Sequence, residues 1–212
     1  MGIYLPKRCN VYKTGDEDPI FFHYFPLVSI VYRKRLENTL SLLGDKSYDD
    51  LLEIGYGSGL LLPELKRRCR RLCAVDIHKE MELVYKMLEK EGVRAKLISG
   101  SILDLPYENE SFSAVVSVSV LEHIHDLDPA ISEIHRVLKR GGIAALSFPV
   151  KNKITDLFYR LAGYEASAIH PSGHREIENS VKKKLKIKDK RIFPAIKNPD
   201  YGLYMTLRCE KE

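Results

Sequence analysis

Cysteine is scarce in this chain, with four among 212 residues, at positions 9, 69, 73 and 209, and no Cys-x-x-Cys pair. That scarcity excludes a disulfide-stapled secreted scaffold and a thiolate zinc ribbon. It points instead to free thiols in a reducing compartment, with Cys69 and Cys73 flanking a helix-to-strand turn. Long apolar runs are missing too. None approaches the roughly 20 residues that span a bilayer, so no transmembrane segment is expected. Met1-Gly2-Ile3-Tyr4-Leu5-Pro6 has no apolar signal core, and Pro6 breaks the myristoylation pattern. These absences predict a cytoplasmic protein. What remains, 44% hydrophobic and 30% charged residues, suits a single globular domain over 1–212 with a large core.

Two further absences concern a glycine-rich turn. Asp49-Asp50-Leu51-Leu52-Glu53-Ile54 reads as a buried strand running into Gly55-Tyr56-Gly57-Ser58-Gly59. Glycine lacks a Cβ and takes positive φ angles, so such a turn lets a backbone approach a ligand closely. The dinucleotide fingerprint needs a third glycine at position 60, which is Leu60, and a phosphate loop needs Gly-Lys-Ser/Thr, which is absent. The chain then alternates strand patterns near 50–54, 72–77, 95–99, 113–119 and 143–149 with helical patterns near 59–68, 79–91 and 128–139. That order predicts a parallel sheet with helices on both faces. The helix from Leu60 to about Arg68 is expected to aim its free N–H groups at the glycine turn. Ligands in such sheets bind beyond the carboxyl ends of the strands, where Glu53, Asp76, Ser101, Val118 and His123 all fall.

Glu53-x-Gly55-x-Gly57-x-Gly59 resembles the first motif of the class I S-adenosylmethionine-dependent methyltransferases. The likeness continues in order through Leu72-Cys73-Ala74-Val75-Asp76-Ile77, Gly100-Ser101-Ile102-Leu103-Asp104-Leu105-Pro106-Tyr107, Val118-Ser119-Val120-Leu121-Glu122-His123 and Arg136-Val137-Leu138-Lys139-Arg140-Gly141-Gly142, covering roughly residues 49 to 150. It is similar to the ubiquinone/menaquinone-biosynthesis-like group through Leu103 to Tyr107 and Val120 to His123. The resemblance implies a Rossmann-like α/β fold with a mainly parallel seven-stranded sheet, S-adenosylmethionine as cofactor and S-adenosylhomocysteine as product. It implies that Glu53, Gly55, Gly57, Gly59, Asp76, Ile77, Ser101, Ile102 and Val118 bind the cofactor. Asp76 would hold the ribose, and Glu53 the glycine loop and the methionine amino end. Where the family usually has Gly-Asp at the adenine loop this chain has Gly100-Ser101, an uncharged, shorter partner that Asp104 would assist. His123 is the candidate base, with Glu122 and His125 nearby; packing beneath the adenosyl group or capping the next helix stands as the alternative.

Outside that core, Phe21-Phe22-His23-Tyr24-Phe25-Pro26 and the following helix, 27–36, form an N-terminal cap over 1–48. In the family such a helix shapes the acceptor pocket; the aromatics also suit plain packing onto the sheet. Residues 151–212 are expected to give an acceptor-side helix closed by Gly163, a helix over Arg175–Lys184, and two antiparallel strands, Leu185–Phe193 and Tyr201–Cys209. His170 and His174 have the spacing of a metal pair, but Pro171 and Gly173 argue against the aligning helix, so no metal is expected. The run from Lys182 to Arg191 dominates the net charge of +5. It reads either as a nucleic-acid footprint or as the solvated face of an edge strand. The Asn/Asp-Pro-Pro-Tyr/Phe motif of amino-directed nucleic-acid methyltransferases is missing. The expected acceptor is a small molecule or lipid, methylated on oxygen, nitrogen or carbon, with an RNA or protein acceptor, or a non-catalytic scaffold, as alternatives.

Overall fold

Seven strands form one sheet in a computed structural model that describes residues 3–15, 20–25, 28–161, 170–196 and 198–212. They are β1 (Tyr48–Ile54), β2 (Cys69–Asp76), β3 (Lys96–Ser99), β4 (Phe112–Val118), β5 (Leu138–Pro149), β6 (Lys186–Phe193) and β7 (Tyr204–Glu210), in the order β3-β2-β1-β4-β5-β7-β6. The pairs among β1 to β5 are parallel, whereas β7 runs antiparallel to both β5 and β6. The direction of the sheet reverses its build-up between β1 and β4, so the carboxyl ends of these two strands open a crevice.

Side-chain alternation along the strands explains the layers. Leu52, Ile54, Val115, Ala144 and Leu146 pack into one core cluster with Ala130, Ile131 and Ile134 of α4 (Leu127–Val137) and with Ile177 and Val181 of the later helix His174–Lys182. Leu51, Ala114, Val116, Ile143 and Ala145 point the other way. They pack against Leu36, Leu40 and Leu43 of α1 (Val28–Leu43), Leu62 and Leu65 of α2 (Leu62–Lys66), and Val84, Met87 and Leu88 of α3 (Met81–Lys90). Both faces are covered, which is why these strands read as near-continuous apolar runs. α4 is capped by Asp126, whose side chain accepts from Asp128 N at 3.3 Å. Between β5 and the helix His174–Lys182 lies α5 (Lys153–Leu161), so that later helix is α6.

Some expectations shift. The helix after the glycine turn starts two residues late and spans only Leu62–Lys66, because Pro63 sits in its first turn and the loop closes first through Gly59 N to Tyr56 O (2.7 Å) and Leu62 N to Gly59 O (3.1 Å). A helix this short has little dipole to offer. The Gly141-Gly142 turn lies inside β5: pairing jumps from Leu138↔Phe112 to Ile143↔Ala114, with Gly141 at φ +69. That irregularity lets the strand begin directly after α4. Pro26, Leu27 and Gly163, like Met1 and Gly2, lie outside the described residues.

The lysine-rich run starts at the end of α6 with Lys182 and continues into β6, the outermost strand, whose residues are mostly exposed. Its cations meet acids: Lys182 and Lys190 at Glu178 (2.8 and 3.1 Å), Lys183 at Asp128 (2.6 Å) and Lys188 at Glu210 (3.4 Å). This is the charged, pairing-resistant edge that the alternation of Lys around Leu185 and Ile187 predicts.

Gly59 serves this packing rather than the crevice. Its φ is +75, and a Cβ there would lie 2.6 Å from Val84 Cγ1 and 2.8 Å from Met87 Cε. Gly59→Ala is therefore expected to destabilise the fold by on the order of 2–4 kcal/mol, from backbone strain plus overpacking, read as a lower denaturant midpoint.

Candidate functional site

A cavity of about 390 Å³ opens at the carboxyl ends of β1, β2 and β4. The strand ends, the glycine loop and the loop after β3 supply Glu53, Gly55, Gly57, Asp76, Ile77, Ile102 and Val118, and the N-terminal segment adds Ile20, His23, Arg35 and Leu36. His123 is among its lining residues. Of the residues singled out in the sequence, Gly59 and Ser101 are absent from the lining; Gly100 takes the place beside Ile102. Ser101 turns inward on its own loop, its Oγ accepting from Leu103 N at 3.1 Å, and Asp104 bridges back to Ser101 without reaching the cavity.

The glycine loop is clamped from both sides of one residue. Asp76 Oδ2 accepts from Gly57 N at 2.8 Å, and His78 Nε2 lies 2.9 Å from Gly57 O. Because His78 Nδ1 accepts from Glu80 N at 3.1 Å, the ring proton belongs on Nε2, which donates to Gly57 O. Asp76 Oδ1 accepts from His78 N at 3.2 Å, so the second-strand acid and the histidine after it fix the loop together. Gly55 at φ +78 is held against Val120; a Cβ would fall 2.1 Å from Val120 Cγ2. Gly57 differs: at φ +48, a Cβ would meet no atom within 4 Å, because it projects into open space.

Glu53 is 4% exposed, and its Oε2 has no hydrogen-bond partner among the described residues. Burial, with Asp76 nearby, pushes its carboxyl well above the usual carboxylate range. A half-satisfied buried carboxyl is costly unless a donor or cation meets it. It suits the positively charged amino end of the cofactor that the sequence resemblance implies. Gly57 has open space where a Cβ would be, and Ile77 lines the cavity while 75% exposed. The donor set therefore fits that cofactor.

Arg35, also in the lining and only 6% exposed, donates to Ser119 Oγ at 2.6 Å, approaches His23 Nε2 at 3.2 Å and lies over the Tyr32 ring at 4.9 Å. Burial, reinforced by Arg35, drops the His23 pKa to about 2, so its ring is neutral and can accept from the guanidinium. Phe22 meets the Tyr32 ring at a tilt at 5.6 Å and His23 meets it edge-on at 5.1 Å, so Phe22 packs onto the helix while His23 also lines the cavity. Ser119 adopts φ +57, an uncommon conformation for a non-glycine residue, held by Ser119 N to Ser147 O at 2.8 Å. Arg35, His23, Ser119 and His78 escaped the sequence reading. For Arg35 a signal existed: it falls on the helical face of Tyr32, Leu36, Thr39 and Leu43, not with its basic neighbours.

His123 ends a one-turn helix, Leu121–His123, and its ring meets that of His170 at 5.0 Å. Glu122 is buried behind it, and desolvation raises its carboxyl pKa against the pull of His123. His125 is exposed and does not line the cavity.

Residues 52–146 match the family model described as a methyltransferase domain. The uncharacterized methyltransferase YdaC of Bacillus subtilis is 32% identical over 112 residues, which is 51% of this chain and 61% of that protein. The demethylmenaquinone methyltransferase of Roseiflexus castenholzii is 32% identical over 108 residues, 50% of this chain and 45% of that one. The chain thus spans about half the length of the curated relatives it matches. Among solved structures, the N-methyltransferase NodS of Bradyrhizobium japonicum in complex with S-adenosyl-L-homocysteine superposes with TM-score 0.67 at 18% identity, covering 94% of each chain. This likeness shows the fold, the Rossmann-like methyltransferase α/β architecture.

Proposed function

We propose that this chain, whose residues 52–146 match the family model of a methyltransferase domain, transfers a methyl group from S-adenosylmethionine to an oxygen, nitrogen or carbon atom of a small-molecule or lipid acceptor. The observation that carries the reading is Glu53: a buried carboxyl with an unpartnered oxygen, on a cavity wall beside an open-sided glycine. The names of the menaquinone relative and of a sterol 4-C-methyltransferase from Caenorhabditis elegans, 26% identical over 157 residues, support a small or lipid acceptor. We place the whole chain in one cytoplasmic domain: a cap over 1–48, a cofactor core over 49–150 and an acceptor side over 151–212. No helix of the described residues is long and apolar enough to cross a membrane.

The cofactor supplies a methyl group already activated by a sulfonium, so the protein's task is positioning and exclusion of water. Glu53, Gly55, Gly57 and Asp76 hold one end of the ligand, while Ile77, Ile102 and Val118 give it an apolar bed. Asp76 has two assignments that coexist: its oxygens order the loop, and the ribose hydroxyls complete their remaining lone pairs. The wall formed by His23, Arg35 and Ser119 shapes the acceptor end and presents hydrogen-bond donors to it. His123 in the lining is the imidazole placed to take up an acceptor proton.

Calorimetric titration with S-adenosylmethionine, S-adenosylhomocysteine and NAD tests the reading. Binding of the two sulfur nucleotides and not of NAD is expected; no binding of either would overturn it. Asp76→Ala is expected to weaken S-adenosylmethionine binding by on the order of 1–3 kcal/mol. Unchanged affinity in a folded variant would refute the ribose assignment.

A further inference from the structure

His170 and His174 share the spacing of a metal pair, yet the structure separates them. His174 Nδ1 accepts from Lys151 N at 3.2 Å and its Nε2 faces Asp200 Oδ1 at 3.1 Å. His170 turns instead toward His123 and Glu122, and one ligating atom from each of these three residues lies within 4.8 Å of the others. Glu122 is 2% exposed, and its Oε2 has no hydrogen-bond partner among the described residues. A buried carboxylate left half-satisfied is met by a cation or by a metal ion. The backbone that carries the three is fixed before any ligand arrives: Ser172 N donates to Glu122 O at 3.3 Å, and Ser172 Oγ to Ile124 O at 2.5 Å.

The chemistry of the set is informative. Two imidazoles and one carboxylate form the donor set of zinc sites that keep a fourth position open, and of the facial triads of other divalent transition metals. The cluster also sits on a partition: His123 lines the large cavity, whereas Glu122 and His170 line a small one of about 10 Å³ beside it.

We propose that Glu122, His123 and His170 bind a divalent transition-metal cation of the zinc type, with its open coordination position facing the large cavity. The donor atoms have to draw in to the roughly 2.0–2.2 Å bonds of zinc. His123, exposed at the end of a one-turn helix, is the most solvent-accessible of the three donors. A His123 nitrogen bound to the cation no longer accepts a proton, so the proton-acceptor role proposed above belongs to the metal-free form. It stands on donor geometry and does not depend on methyl transfer.

The test is uptake of Zn²⁺ alone by chelator-stripped full-length protein, followed by Co²⁺ substitution. One zinc per chain is expected, with a Co²⁺ visible spectrum typical of nitrogen and oxygen ligands and lacking thiolate charge transfer. His123→Ala, chosen because its side chain is exposed, and the near-isosteric Glu122→Gln are each expected to weaken zinc binding by about 100-fold or more, with unchanged circular dichroism. No zinc uptake by the wild type overturns the proposal. So does uptake that both folded variants retain, or a thiolate-type Co²⁺ spectrum. S-adenosylmethionine titration of the same metal-free samples reads the methyl-transfer proposal separately.

Discussion

Gly57→Val is expected to abolish S-adenosylmethionine binding, lowering affinity by roughly 100-fold or more, while the protein still folds. The physical basis is the contrast among the loop glycines. At Gly55 and Gly59 a new Cβ strikes Val120 or Val84 and damages the packing, so loss of binding there would be uninterpretable. At Gly57, which lines the cavity, the same atom meets nothing in the protein. The left-handed φ of +48 adds backbone strain of on the order of 1–3 kcal/mol. That is tolerable for a domain of this size and is visible as a modest fall in Tm. Calorimetry and thermal unfolding on one sample separate the two effects. A folded Gly57→Val protein that binds the cofactor as the wild type does would show that the ligand does not pass over this loop.

Glu53→Gln is expected to weaken S-adenosylmethionine by about 10- to 100-fold, the worth of a charge-assisted hydrogen bond, and to erase a proton release that accompanies binding in the wild type. In the free protein the Glu53 carboxyl titrates well above its ordinary value of 4.5. A cationic ligand beside it favours the ionised form and expels the proton, so affinity rises with pH across that window. The stability of the free protein runs the opposite way. A carboxyl whose folded pKa is raised contributes stability that is fully present below its unfolded pKa and is lost as pH rises through the folded one. Glu53→Gln should flatten that decline. Titration in two buffers of different ionisation enthalpy counts the protons. Equal apparent enthalpies in both buffers for the wild type would exclude the linkage.

How far the sequence speaks depends on whether a residue's role is local. The strands were legible because burial on both faces leaves β1, β4 and β5 as apolar runs, and the acids at their ends, Glu53 and Asp76, fall where the sheet must open. The glycine turn announced its position but not its division of labour: only coordinates distinguish Gly57, facing open space, from Gly59, wedged against Val84 and Met87. Arg35 was concealed in a basic triplet whose other members point outward. Ser119 was invisible, since no residue type marks a left-handed φ at a serine. The approach of His170 to His123 joins residues 47 positions apart in sequence and rests on the loop geometry around Ser172, which no periodicity encodes. Ser101 stands where the resemblance places an adenine partner, yet its hydroxyl closes its own turn.

The sheet order also has a consequence for how the chain is made. β7 lies between β5 and β6, although it follows both in sequence. As the polypeptide leaves the ribosome, β6 emerges before β7, with which it pairs, and β5 keeps a bare, strongly apolar edge through the same interval. The lysines of β6 make a poor template for a stray strand, so they protect the nascent chain during a delay that its own topology imposes.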